Sequence, residues 1–345
     1  MPELNINDEK MVKKYNDFVE NSSFGRYFQH VNWSKVKSNW ESYYLYKVNE
    51  NNEIIATMLI LSIQNEDGNT FMYSPRGPVC DIYNIELFKN LIDEAKILAK
   101  AKNAFLLRID PEIEYDDVLE ALLLKNGIFL RTCDIPSKIL TSNPAFNLVL
   151  PLNDIKKFDD PINYFSSKLR NTIRRTYRDG LNTRIIDINS GNYEKALDNL
   201  FNMVKNVSTK KNIGYRSKEY LDSILRNFDD AKIFETFNKD QEVLSSCLIL
   251  TFNKKTYYLY SGRSNFSSRL SASYQMNYEA ILYAISKKSK YYDFGAVFSL
   301  DNSCDLYTFK HKFCKKQEVT RYIGEIDIIF NKEVYQKFNM KKINN

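Results

Sequence analysis

Three arginines, Arg170, Arg174 and Arg178, stand at i, i+4 and i+8 in the run "KLRNTIRRTYR". If that run is helical they form one cationic stripe, which suits it either to follow a phosphate backbone or to stay a solvated helix face. Two tyrosines, Tyr258 and Tyr260, alternate in "TYYLYSGR" and share one face of an expected strand, able to line a groove or to pack in a core. In "YSPRGP" two prolines and a glycine hold Arg76 on a stiff turn, as a mounted cation or an ordinary surface residue. Asp110 ends an apolar run beside Pro111, where a carboxylate can take a proton or cap a strand end.

The elements that would position these residues come in two matching blocks. "EIIATMLILSI" from Glu53 and "EVLSSCLILTF" from Glu242 are β-prone, and each leads through a polar turn into a second strand, "TFMYSPRG" or "TYYLYSGR". Ile54 matches Val243 and Tyr73 matches Tyr260, at offsets of 189 and 187 residues. After each block comes a helical pattern, Asn84 to Lys102 with Leu87, Leu91, Ala95 and Leu98 on one face, and Ala272 to Lys288 with Tyr274, Tyr278, Ile281 and Ile285. A further strand follows each helix, "AFLLRID" and "KYYDFG". A hairpin, a helix and another strand make the central part of a GNAT-like acyltransferase fold, so the expected class is α+β with two tandem GNAT-like domains. The expected division is 1–150 and 151–319, with 320–345 completing the first domain through the strand "RYIGEIDIIF".

Composition narrows the function. Of 345 residues, 43% are hydrophobic and 27% charged, as in an ordinary soluble globular protein. No apolar run approaches the roughly 18 residues of a membrane span, and the N-terminus lacks a signal-peptide core, so a cytoplasmic protein without stable membrane insertion is expected. The five cysteines, Cys80, Cys133, Cys247, Cys304 and Cys314, never form C-x-x-C, and with two histidines no metal or other cofactor is expected. The net charge of +6 is modest, but it is concentrated: five bases lie between Lys168 and Arg178, and Lys310, Lys312, Lys315, Lys316 and Arg321 form a second cluster. No nucleophile elbow, P-loop or dinucleotide fingerprint is present, and the turns "YSPRGPVCDIY" and "YSGRSNFSSRLSAS" do not make a glycine-rich pyrophosphate cradle. An acyl carrier other than coenzyme A is therefore expected.

In order along the chain, "FQHVNWSKVKSNW", "YSPRGPV", "LLRIDP", "YLYSGRS", "YDFGAV" and "LYTFKHKFC" resemble the FemABX family, the peptidoglycan-branching aminoacyltransferases that use aminoacyl-tRNA. The resemblance runs from about Phe24 to Ile329 and departs from the family at "YSGRS", often a doubled glycine, and at "KFC". With no room between Tyr220 and Ala231 for an inserted helical arm, it is nearest to the short FemX type, which acts on soluble UDP-MurNAc-pentapeptide rather than lipid II. The resemblance implies transfer of an amino acid from its tRNA ester to the side-chain amine of the third stem-peptide residue. It implies catalytic roles for Phe309, Lys310 and Asp110, with Lys310 as the cation facing a tetrahedral oxyanion and Phe309 holding the chain end. Lys37 matches the lysine that contacts the nucleotide pyrophosphate. Thr209, Lys211, Tyr215, Tyr258, Tyr260 and Arg76 fall to the acceptor, and Arg170, Arg174 and Arg178 to tRNA. The partners expected are aminoacyl-tRNA and UDP-MurNAc-pentapeptide or lipid II, with the protein a monomer that at most touches a membrane peripherally. Transfer to another amine, and a non-catalytic tRNA- or precursor-binding protein, are the competing readings.

Overall fold

The computed structural model describes residues 3–65, 67–132, 141–211, 213–264, 270–314 and 319–343, so that Cys133, Lys315 and Lys316 lie outside the described residues. The chain divides into two compact units, residues 1–146 with 297–300 and 320–345, and residues 147–296 with 301–319.

In chain order, the first stretch holds α1 (Glu9–Asn21), α2 (Asn32–Val36), β1 (Glu41–Val48), β2 (Ile54–Gln64), β3 (Thr70–Arg76), α3 (Ile85–Ala101), β4 (Ala104–Pro111), α4 (Asp117–Lys125) and β5 (Leu130–Arg131). The middle holds β6 (Phe146–Pro151), α5 (Leu152–Ile155), α6 (Ser167–Arg178), β7 (Asn182–Ile186), α7 (Tyr193–Lys210), α8 (Lys218–Asn227), β8 (Ala231–Phe237), β9 (Val243–Phe252), β10 (Lys255–Arg263), α9 (Ala272–Ser286), β11 (Tyr291–Ala296), α10 (Asp305–His311) and β12 (Val319–Arg321). The chain ends with β13 (Glu325–Ile329) and α11 (Lys332–Ile343).

The two sheets repeat one plan. In the first the order is β1-β2-β3-β4-β13-β5, and in the second β7-β8-β9-β10-β11-β6-β12. β2 and β3 form an antiparallel hairpin and β4 joins β3 in parallel after the α3 crossover; β9, β10, α9 and β11 do the same. Each parallel strand is then flanked by an antiparallel one from a distant part of the sequence, β13 beside β4 and β6 beside β11. This is the tandem α+β arrangement expected from the repeated blocks.

The central strands carry unbroken apolar stretches because both faces are covered: Met58, Leu59, Ile60 and Leu61 of β2 and Leu248, Ile249 and Leu250 of β9 are all buried. α3 packs through Phe88, Leu91, Ile92, Ala95 and Ala99. The expected stripe is therefore rotated by about one position, with Leu87 and Leu98 at its half-buried edge. α9 is covered on most sides, burying Gln275 and Asn277 beside Met276, Ala280, Ile281 and Ala284, while Tyr274 and Ile285 are half-buried.

Candidate active site

In the second unit the sheet opens where the first stays shut. β3 pairs with β4 from Thr70 to Arg76, whereas among the described residues β10 pairs with β11 only over Lys255–Tyr257. Past that point two irregularities follow. β10 slips one residue against β9 between Tyr258 and Tyr260, and β11 slips against β6 between Asp293 and Ala296. Such bulges bend a strand away from its neighbour and re-aim its side chains. Beside the opening lies a cavity of about 570 Å³, with Lys211, Tyr258, Arg263, Tyr274, Phe309 and Lys312 on its walls. Among the described residues its lining includes cations from three elements and one acid, Asp305. Gly262 brings α7 close to β10, since a Cβ there would run into the Met203 backbone.

Lys310 and Phe309 come from α10. Phe309 lies on the cavity wall, its ring 5.0 Å from that of Tyr274. Lys310 is 5% exposed, and its Nζ donates to the Ala296 carbonyl at 2.7 Å. Burial pushes its ammonium down to about 8, and the nearby Asp293 carboxylate opposes that effect. Gly295, at φ +74°, turns the end of β11 past this group: a Cβ on it would be 3.6 Å from the Tyr258 carbonyl and 3.9 Å from Lys310 Nζ. The lysine head therefore sits in the parting of β10 and β11, desolvated and tethered by one carbonyl.

The structure separates Tyr258 from Tyr260. The extra residue at Leu259 places them opposite Ile249 and Leu248, neighbours that point to opposite faces of β9. Tyr258 lines the cavity and meets Phe294, while Tyr260 packs on Tyr220 of α8. The expectation of a shared face is corrected, because alternation cannot reveal a bulge. Lys211 caps the end of α7 at the cavity, Thr209 is exposed in the last turn of that helix, and Tyr215 is an exposed ring 6.2 Å from Phe201. On α6, Arg174 and Arg178 are exposed, while Arg170 bends back to donate to the carbonyls of Phe165, at 3.1 Å, and Asn163, at 3.3 Å.

In the first unit Arg76 is 5% exposed, so neither a solvated surface arginine nor a cation presented at a surface describes it. Its guanidinium donates to Asp110 at 3.2 Å and to the Pro144 carbonyl at 3.0 Å, and lies 4.8 Å from the Tyr322 ring centre. Burial works against its charge, and Asp110 and Glu112 more than offset that. Asp110 also accepts from Tyr73 and from Asn143, each at 2.7 Å. Burial raises its carboxyl to about 6 against the pull of Arg76. With three donors already in place, Asp110 is a buried counter-ion rather than an open base. Gln29 pins the turn, donating to the Pro75 carbonyl at 2.7 Å and accepting from the Leu59 amide at 2.8 Å. Lys37 follows α2 and holds its Nζ 5.9 Å from the Trp33 ring centre. Tyr274, Arg263, Lys312 and Asp293 were not singled out as site residues from the sequence, although Arg263, Lys312 and Asp293 lie in "YLYSGRS", "LYTFKHKFC" and "YDFGAV".

The FemAB family profile matches residues 11–122 and 231–342. A UDP-N-acetylmuramoylpentapeptide-lysine N(6)-alanyltransferase of Weissella viridescens is 31% identical over 338 residues, which cover 97% of this chain and 98% of that protein. A lipid II:glycine glycyltransferase of Staphylococcus haemolyticus is 23% identical, covering 99% and 96%. Among solved structures, the crystal structure of FemX superposes with a TM-score of 0.83 at 21% identity over 98% of this chain and all of that one. A tandem GNAT protein from the clavulanic acid pathway gives 0.56 at 9% identity, covering 95% and 97%. With the profile on both halves and a relative matched end to end, the chain belongs to the FemAB family.

Proposed function

We propose that this protein is a cytoplasmic aminoacyltransferase. It moves an amino acid from aminoacyl-tRNA to the side-chain amine of the third residue of the peptidoglycan stem peptide, beginning an interpeptide bridge. The observation that supports this best is the buried Lys310 ammonium in the parting of β10 and β11, beside a cavity whose walls are cationic and aromatic. Aminolysis of an ester needs a cation where the carbonyl oxygen becomes negative. The amine nitrogen attacks the ester carbon, the tetrahedral oxyanion collapses, and the amine's proton leaves with the ribose oxygen as a hydroxyl. An ammonium held in a desolvated slot stabilises that oxyanion more than it does the neutral ester.

In this reading Phe309 packs against the donor's end, while Lys211, Arg263 and Lys312 meet phosphate or carboxylate at the cavity. Arg174 and Arg178, with Arg170 behind them, follow the tRNA backbone. Lys37 serves the nucleotide pyrophosphate, and Thr209, Tyr215, Tyr258 and Tyr260 divide the remaining acceptor contacts. Arg76 and Asp110 act as a mutually neutralising pair. The 31% identical relative carries a UDP-linked pentapeptide in its name, whereas the 23% identical one carries lipid II, so the nucleotide-linked acceptor is the one to try first. The test is incubation with mixed aminoacyl-tRNAs and UDP-MurNAc-pentapeptide, followed by mass spectrometry. A single-residue mass gain on the precursor, strongly slowed with Lys310→Ala, is expected; no gain from any charged tRNA, on this precursor or on lipid II, rejects the reading.

A further inference from the structure

One carboxylate builds the bulge that ends β11. Asp293 is 2% exposed, accepts the Gly295 amide at 2.7 Å through Oδ1, and pairs with Lys255 Nζ at 2.7 Å through Oδ2. Asn147 Nδ2 lies 3.2 Å from each of its oxygens. The Gly295 amide, bound by this side chain, does not extend the β11 ladder, and the left-handed φ of +74° carries the chain around the Asp293 carboxylate. The next carbonyl, that of Ala296, receives Lys310 Nζ. The same carboxylate is the leading anionic influence on Lys310; the other groups acting on it are the thiols of Cys314 and Cys304, which flank α10. Lys255 on β10 is the cation that competes for Asp293.

We infer that Asp293 is a positioning residue for Lys310: it folds the Phe294–Gly295 bulge that aims the Ala296 carbonyl at the ammonium, and it is the counter-charge that the buried lysine faces. The inference rests on the role given to Lys310 above, and its test does not depend on transfer. Competitive labelling of the full chain with an amine reagent at graded pH, read on the Lys310 peptide by mass spectrometry, gives the midpoint at which that amine loses its proton. Asp293→Asn keeps an oxygen for the Gly295 amide and removes the charge; its midpoint should fall by about one pH unit, the lower end of what a neighbouring opposite charge does. Lys255→Met frees the carboxylate and should move the midpoint upward, as rehydration of the amine also would, so the fall in Asp293→Asn is the direction that loosened packing would not give. The alkaline limb of kcat should move with the midpoint in both variants. Lys310 midpoints that stay at the wild-type value in both variants overturn the inference, and if Asp293→Asn does not fold, an unmoved midpoint in Lys255→Met overturns it alone. Full transfer by Lys310→Ala would instead reject the role of the lysine, with the labelling midpoints still deciding whether Asp293 governs it.

Discussion

Burial pushes the Lys310 ammonium down to about 8, while stabilising an oxyanion requires it charged. The kcat of transfer should hold through neutral pH and decline above about 8, in a pH profile at saturating substrates. Lys310→Ala should lower kcat about 10²–10³-fold, the cost of losing one oxyanion donor, with precursor affinity little changed. The same lysine has a stability signature. Its folded pKa lies below its unfolded value, so the charge penalises the native state fully below about 8 and the penalty fades as pH rises toward 10.5. Relative to Lys310→Met, the wild type should therefore gain stability across that window, measured by urea unfolding at several pH values. Asp110 works in the opposite direction. Its carboxyl is raised to about 6, so its contribution to stability is largest in acid and is lost as pH rises from about 4 to 6. Asp110→Ala should cost about 3 kcal/mol in chemical denaturation, because it removes the nearer of the two buried counter-charges of Arg76 and leaves Glu112, at 3.8 Å, to hold it alone. None of this could be read from "YSPRGP" and "LLRIDP". Those strings identified Arg76 and Asp110 as unusual residues, but not that each was the partner of the other.

Glycine and helix pattern decide how the elements frame the cavity. Gly262→Ala should force α7 away from β10 and cost about 1–3 kcal/mol, as overpacking does, with a larger loss of transfer because Lys211 moves with the helix; thermal melts and kinetics together check this. On α6, each exposed arginine removed should lower the slope of log affinity for tRNA against log salt by about 0.9, and Arg174→Ala with Arg178→Ala should act additively in a binding titration. Strands and helices with strong periodicity were visible in the sequence, since "IIATMLILSIQ" and "VLSSCLILTF" can only be buried runs. The bulges at Leu259 and Phe294–Gly295 were not, because a slip of register depends on the partner strand and leaves no mark on alternation.

Considered entire, the chain uses one plan twice and opens it once. The first sheet is paired through the position where the second parts, and the ion pair of Arg76 and Asp110 lies at the closed end of β3 and β4. Ligand binding to the native protein should add to its stability: UDP-MurNAc-pentapeptide at a hundred times its dissociation constant is worth about 2.7 kcal/mol, seen as a raised Tm. The duplication itself was legible from two offsets, 189 and 187 residues, because matched hairpins keep their spacing. The flanking positions of β6 and β13 were less so, since only the last strand was read as returning to the first domain.

β13 lies between β4 and β5, so the first sheet lacks an interior strand until residues 325–329 exist. On a ribosome, then, the half made first would be the last to close. A nascent chain that stalls near residue 319 would present β4 and β5 as bare edges, open to pairing with another chain, while the half synthesised later already holds nearly all of its strands.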